Sequence, residues 1–254
     1  MGHIRLGQLP KTKQWSQVID LLDDPDVDAP TVARAIVTAA EQAYRLAGDD
    51  PGVVESLRVM AFLAAASRRD DFANALVEFG LPAVGGTSAL GFLAHVFDET
   101  ERRFGPTADR TIFSEFALAA LQESVSQTVG QQTGTLFLSG VDEIRDAYRS
   151  FSTERGFAKL ARLFFARFMA RSLRYFSDQE VTKHLGGDGL LREQADIRAF
   201  NEAVDRYSFE AARIVEDFAG GWYSKRLWLG HVEQTEGLAA VAMRKIADEL
   251  ALAT

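Results

Sequence analysis

Along nearly the whole chain, apolar residues return every three or four positions, and this period limits the fold more than any other feature. Ile197, Phe200, Val204, Tyr207, Ala211, Ile214 and Phe218 form one such stripe. A 3.6-residue repeat places these side chains on one face of a helix, which must then be buried against another helix. Sustained period-two alternation is absent outside residues 2–13, where Ile4 and Leu6 alternate with His3 and Arg5. The pattern predicts an all-α fold, a multi-helix bundle of about ten helices with a short extended N-terminal arm.

Local punctuation sets the expected helix boundaries. Asp28 followed by Pro30, and Asp50 followed by Pro51, read as N-caps with proline in the first turn, where a missing N–H costs little. Gly48, Gly80–Leu81–Pro82 and Gly105–Pro106 read as stops, and Gly220–Gly221 as the end of a helix running from Asp196 to Phe218. Thr153 opens a long helix reaching Phe176, followed by a connecting segment over 177–189. The polar run GQQTGT, residues 130–135, is the candidate boundary between an N-terminal half, 14–130, and a C-terminal half, 136–254, with the arm at 1–13; one continuous domain also fits. No repeat of fixed period suggests a solenoid.

Composition excludes several chemistries. The 254 residues contain no cysteine, so disulfides, thiolate nucleophiles and cysteine-ligated metals are ruled out. A cysteine-free chain suits a reducing compartment. With no signal-like N-terminus and no run near the ~18–20 apolar residues a membrane helix needs, the expected location is cytoplasmic, with no membrane span. A net charge of −8 disfavours non-specific attraction to nucleic acid, although a local basic patch can act against it.

Catalytic and metal motifs are missing. Asp24, Asp26 and Asp28 have the spacing that opens a calcium loop, but Ala29 and Ala35 occupy the positions that require glycine and glutamate. The four histidines, His3, His95, His184 and His231, form no paired metal motif. Gly186–Gly187–Asp188–Gly189 follows no strand that would aim it at a phosphate, and Leu6 stands where a myristoylation signal needs Ser or Thr. No cofactor and no metal is expected. An unfamiliar helical active site would draw on His95 with Asp98 and Glu99, or on Glu180 with His184.

Three segments stand out as contact surfaces. In the helix 154–176, Phe157, Ala161, Phe164, Phe165, Phe168, Met169, Tyr175 and Phe176 share one side, and Arg155, Lys159, Arg162, Arg167, Arg171 and Arg174 cover the other. Such a face can meet an anionic partner, or pair with this chain's own 36 acidic residues. The segment 220–231 interleaves Trp222, Tyr223 and Trp228 with Lys225 and Arg226, the composition of binding hot spots or of a loop-to-core staple. The basic arm, with Gly2 and Arg5, can thread into a partner or pack on its own domain.

In its general look (helical, cysteine-free, an arm at the front, no catalytic signature) the chain is similar to accessory subunits of bacterial multi-gene systems, phage-defence systems among them. That similarity attaches to no particular residue. The expectation is an adaptor or interaction subunit with a protein partner. A nucleic-acid-binding module and an enzyme are the two alternatives, neither ahead of the other. Oligomeric state is left open.

Overall fold

A computed structural model describes residues 13–24, 27–81, 88–106, 110–133, 141–183 and 194–252. Among them the chain forms twelve α-helices and no strand. These are α1 Lys13–Asp23, α2 Ala29–Ala39, α3 Glu41–Ala47, α4 Pro51–Ala66, α5 Phe72–Glu78, α6 Ala89–Arg103 and α7 Ile112–Thr133. They continue with α8 Val141–Arg149, α9 Glu154–Lys183, α10 Gln194–Ala211, α11 Arg213–Leu229 and α12 Glu236–Leu252; a 3-10 turn, Ser150–Ser152, leads into α9. The protein is an all-α multi-helix bundle. Gly2 and Arg5 of the arm, His3, His184 and the 186–189 glycines lie outside the described residues.

The caps form as the sequence signals. Asp28 accepts the Thr31 N–H at 2.9 Å and opens α2. Asp50 accepts the N–H groups of Gly52 and Val53 at 2.9 and 3.1 Å and opens α4. This buried carboxylate also accepts from the hydroxyls of Thr111 and, at 3.0 Å, Ser114, tying the start of α4 to the start of α7. Each bond satisfies an N–H or hydroxyl group, and around Asp50 burial would otherwise leave those groups without water.

Four boundaries differ from expectation. The stretch read as one helix up to Gly48 bends at Ala40, between α2 and α3, and the 196–218 helix bends at Ala212, between α10 and α11. At both alanines ψ is −6°, so the chain tightens for one residue while its hydrogen bonds continue. Neither glycine nor proline marks these bends. α9 passes Phe176 and runs to Lys183, and α7 enters the polar run and ends at Thr133.

The largest correction concerns residues 220–231, of which 220–229 are helix rather than loop. Gly220 and Gly221 lie inside α11, which ends at Gly230 in the left-handed conformation, φ 72°. Gly220 is there because α9 crosses against it: a Cβ at that position would stand 2.6 Å from the Glu154 carbonyl oxygen. Close helix approach therefore explains this glycine better than helix termination does.

α9 is the axis of the bundle, packed by α7, α10 and α11. Phe157, Phe164, Phe165, Phe168 and Met169 are fully buried along it. The Phe168 ring meets Tyr44 of α3 and Phe113 and Phe116 of α7 at centroid distances of 6.4, 6.1 and 6.4 Å. α10 packs on α2 and α12 on α3, and one hydrophobic cluster extends from Val18 to Leu250.

Candidate functional site

The cations of α9 look out between α7 on one side and α10–α11 on the other, and most of them are held by those walls. Arg171 pairs with Glu123 of α7. Arg167 lies 3.8 Å from the same carboxylate and donates to the Gln127 side-chain oxygen at 3.1 Å. Arg174 reaches Asp205 of α10 at 2.5 Å. Arg162 pairs with Glu216 of α11 at 2.9 Å, donates twice to the Phe209 carbonyl and stacks 3.9 Å from the Phe209 ring centre. Four of the six expected contact cations are thus engaged within the chain.

Arg155 and Lys159 differ. Both are exposed, and neither has a hydrogen-bond or ion-pair partner among the described residues. They open with Arg162 onto a cleft of about 770 Å³, closed by Gln127 and Thr128 of α7, the 150–153 turn, Phe209 and Glu216. A second depression, of about 400 Å³, shares Gln127, Leu163 and Phe209 with it and continues along α9 over Ala166 and Ala170. The two form one groove above the central helix. Among the described residues Glu216 is the single acid on the wall of the larger part, and Arg162 pairs with it.

Phe209 is not among the expected contact residues, yet it is 43% exposed at the rim of this groove. The sequence does carry a signal for it. Phe209 falls two positions after Tyr207, about 200° around the helix and off the apolar stripe. A large aromatic off the buried face has no core to enter.

The second candidate surface is the end of α11, where the structure separates residues that composition grouped together. Tyr223 has no exposed surface, and its ring stacks on Phe157 at 4.3 Å and 12°. Trp222 is half-buried, 6.0 Å from the same ring. Both belong to the α9–α11 packing. Arg226 is half-buried and donates to Gln234 at 2.6 Å. Lys225 is exposed. Trp228 is 82% exposed, with Leu229 beside it at 42%. The helix stops immediately after them because Gly230 turns the chain back, and the His231 N–H bonds to the Arg226 carbonyl at 2.9 Å.

The two described histidines, His95 and His231, gather no site. His95 and Asp98 are exposed on α6, and Glu99 is engaged by Arg102 at 2.7 Å and Arg103 at 3.6 Å. His95 lines neither part of the groove, which argues against acid–base work there. Glu180 lies on α9 and its proposed partner His184 outside the described residues. Among the described residues no group of three or more acidic or histidine side chains is placed to hold a metal ion. No helix among them is long and apolar enough to cross a membrane.

Fold and site together give, among the described residues, an all-α bundle with a cation-lined groove over its central helix and the Trp228 indole standing in solvent. Compared with family models, with curated proteins and with solved structures, the chain matches none.

Proposed function

We propose that this protein is an interaction subunit that holds a partner protein through the C-terminal end of α11, with Trp228 as its anchor. The observation that carries this reading is the 82% exposure of that indole, next to half-exposed Leu229, on a rigid helix end. A tryptophan covers ~150–250 Å² when buried. At ~25 cal/mol per Å², burying it against a partner contributes roughly 4–6 kcal/mol before the costs of association. Tryptophan is also the residue type most enriched among binding hot spots. Lys225 and His231 frame the indole with polar groups, the arrangement of a hot spot with a wet rim.

The nucleic-acid reading has less support. It needs a continuous run of free cations, and Arg162, Arg167, Arg171 and Arg174 are committed to Glu216, Gln127, Glu123 and Asp205.

The test compares wild-type chain with Trp228→Ala, both purified gently from the native host. The substitution should leave folding stability within ~0.5 kcal/mol, since the side chain touches little of its own protein. It should weaken the co-purifying partner by about 2–4 kcal/mol, roughly 30- to 1,000-fold. A partner retained at full stoichiometry by the variant would overturn the proposal, as would a wild-type chain that purifies alone.

A further inference from the structure

Arg155 and Lys159, unpaired among the described residues, occupy a different place from Trp228, and their surroundings favour a different kind of ligand. Arg155 and Lys159 stand four positions apart on one helix face, so their Cβ atoms are ~6 Å apart and their long side chains can converge on one point. They open on the cleft between α7, α9 and Phe209. Among the described residues its one acid pairs with Arg162, leaving two uncompensated positive charges in a protein of net charge −8. Gln127 uses its side-chain oxygen to accept from Arg167, which leaves its amide N–H groups as donors on the facing wall.

The rest of the lining mixes the hydroxyls of Thr128, Ser150 and Thr153 with apolar side chains. Leu160 and Leu163 contribute from α9, and the Phe209 ring, fixed by the Arg162 guanidinium, lies at the rim. At about 770 Å³, the cleft falls in the ~300–1,000 Å³ range of small-molecule sites. Two converging cations match a phosphate dianion better than a single carboxylate, and the guanidinium fork suits its oxygens. An exposed aromatic ring beside that charge suits a planar body.

We propose that this cleft binds a small phosphorylated ligand of nucleotide size, its phosphate held by Arg155 and Lys159 and its ring system laid against Phe209. A polynucleotide would need a run of free cations along the groove; Arg162, Arg167, Arg171 and Arg174 are held within the chain, which leaves Arg206, over the Tyr207 ring, as the one further exposed cation on the described lining.

Calorimetric titration of the full chain at low salt tests this, with AMP, inorganic pyrophosphate and a twelve-residue oligothymidylate as probes. Wild-type protein should bind AMP and pyrophosphate. The double variant Arg155→Gln, Lys159→Gln should bind both at least about tenfold more weakly, through the loss of two charge-assisted contacts. Its ligand-free thermal midpoint should match wild type, because neither side chain has a partner to lose. Phe209→Ser should weaken AMP and leave pyrophosphate unchanged. The proposal is overturned if neither small probe binds wild type, or if the double variant binds them equally well. An equal effect of Phe209→Ser on both probes overturns the stacking half. An oligonucleotide bound far more tightly than AMP, with a salt dependence showing several phosphate contacts, overturns it in favour of a nucleic-acid strand.

Discussion

Three tyrosines are shut inside the bundle, and their hydroxyls meet different surroundings. The Tyr44 hydroxyl lies 3.0 Å from the Ser172 Oγ and donates to the Met169 carbonyl at 3.3 Å. Those of Tyr148 and Tyr223 are buried with no hydrogen-bond partner among the described residues. A buried polar group without a partner costs ~1–3 kcal/mol, so removing it relieves the protein. In urea unfolding, Tyr148→Phe and Tyr223→Phe should therefore stabilise by about 1 kcal/mol, and Tyr44→Phe should destabilise by about as much. A loss of stability in both of the first two variants would mean that their hydroxyls are satisfied. Burial also pushes all three phenols above their ordinary range; the Ser172 hydrogen bond partly opposes this at Tyr44, and the Arg68 charge does so at Tyr223. The folded state then keeps protons that the unfolded chain releases above about pH 10, and the state that binds more protons loses ground as pH rises. Thermal midpoints should accordingly be insensitive to these groups below about pH 10 and fall above it. The fall should be shallower in Tyr148→Phe.

Helix packing in this protein is decided at a few glycines, and the two neighbours in α11 should behave oppositely. At Gly220 a Cβ would meet the Glu154 carbonyl oxygen at 2.6 Å and its Cγ at 2.9 Å, so α9 and α11 would have to separate. At Gly221 nothing lies within 4 Å. Gly220→Ala is expected to cost on the order of 1–3 kcal/mol through overpacking. Gly221→Ala should stabilise by about 0.5–1 kcal/mol, since alanine favours a helix interior that glycine disfavours. Equal effects in chemical denaturation would remove the close crossing as the reason for Gly220. Gly156 is more constrained still, because its Cβ would collide with the Ser150 carbonyl that leads into α9. The sequence pattern Gly-Gly before a polar stretch reads as a stop, since local rules have no term for a second helix lying against the first. For the same reason the breaks at Ala40 and Ala212 carry no mark in the sequence: both are alanines, and both are fully buried against other helices.

Across the whole molecule, α9 is the element to which much of the rest is fastened. Phe168 lies among Tyr44, Phe113 and Phe116, and Tyr44 reaches across to Ser172. Cutting the chain within 130–135 would strip residues 14–130 of these partners and leave Phe168 and the α7-facing side of α9 open to water in 136–254. Each exposed phenylalanine forfeits ~1.5–3 kcal/mol, against a net stability of only ~5–15 kcal/mol for a typical protein. The intact chain should unfold in a single transition that coincides by circular dichroism and tryptophan fluorescence, while neither fragment alone should melt cooperatively. A sharp transition from either fragment would show that the halves are independent units.

The material of the fold is written locally in the chain. Helical period, the caps at Asp28 and Asp50, the absence of cysteine and the concentration of Phe on one side of α9 depend on residue type and on neighbours within about one turn, so all of them are legible in the amino-acid order alone. Which of those residues remain available is a tertiary matter. Arg162, Arg171 and Arg174 resemble Arg155 and Lys159 in sequence, and they differ because Glu216, Glu123 and Asp205, 54, 48 and 31 positions away, fold back onto them. Trp222 and Trp228 differ likewise, because Phe157 lies beside one and nothing covers the other. Backbone preference acts over a turn of helix, whereas charge pairing and burial act between segments that only the folded chain brings together.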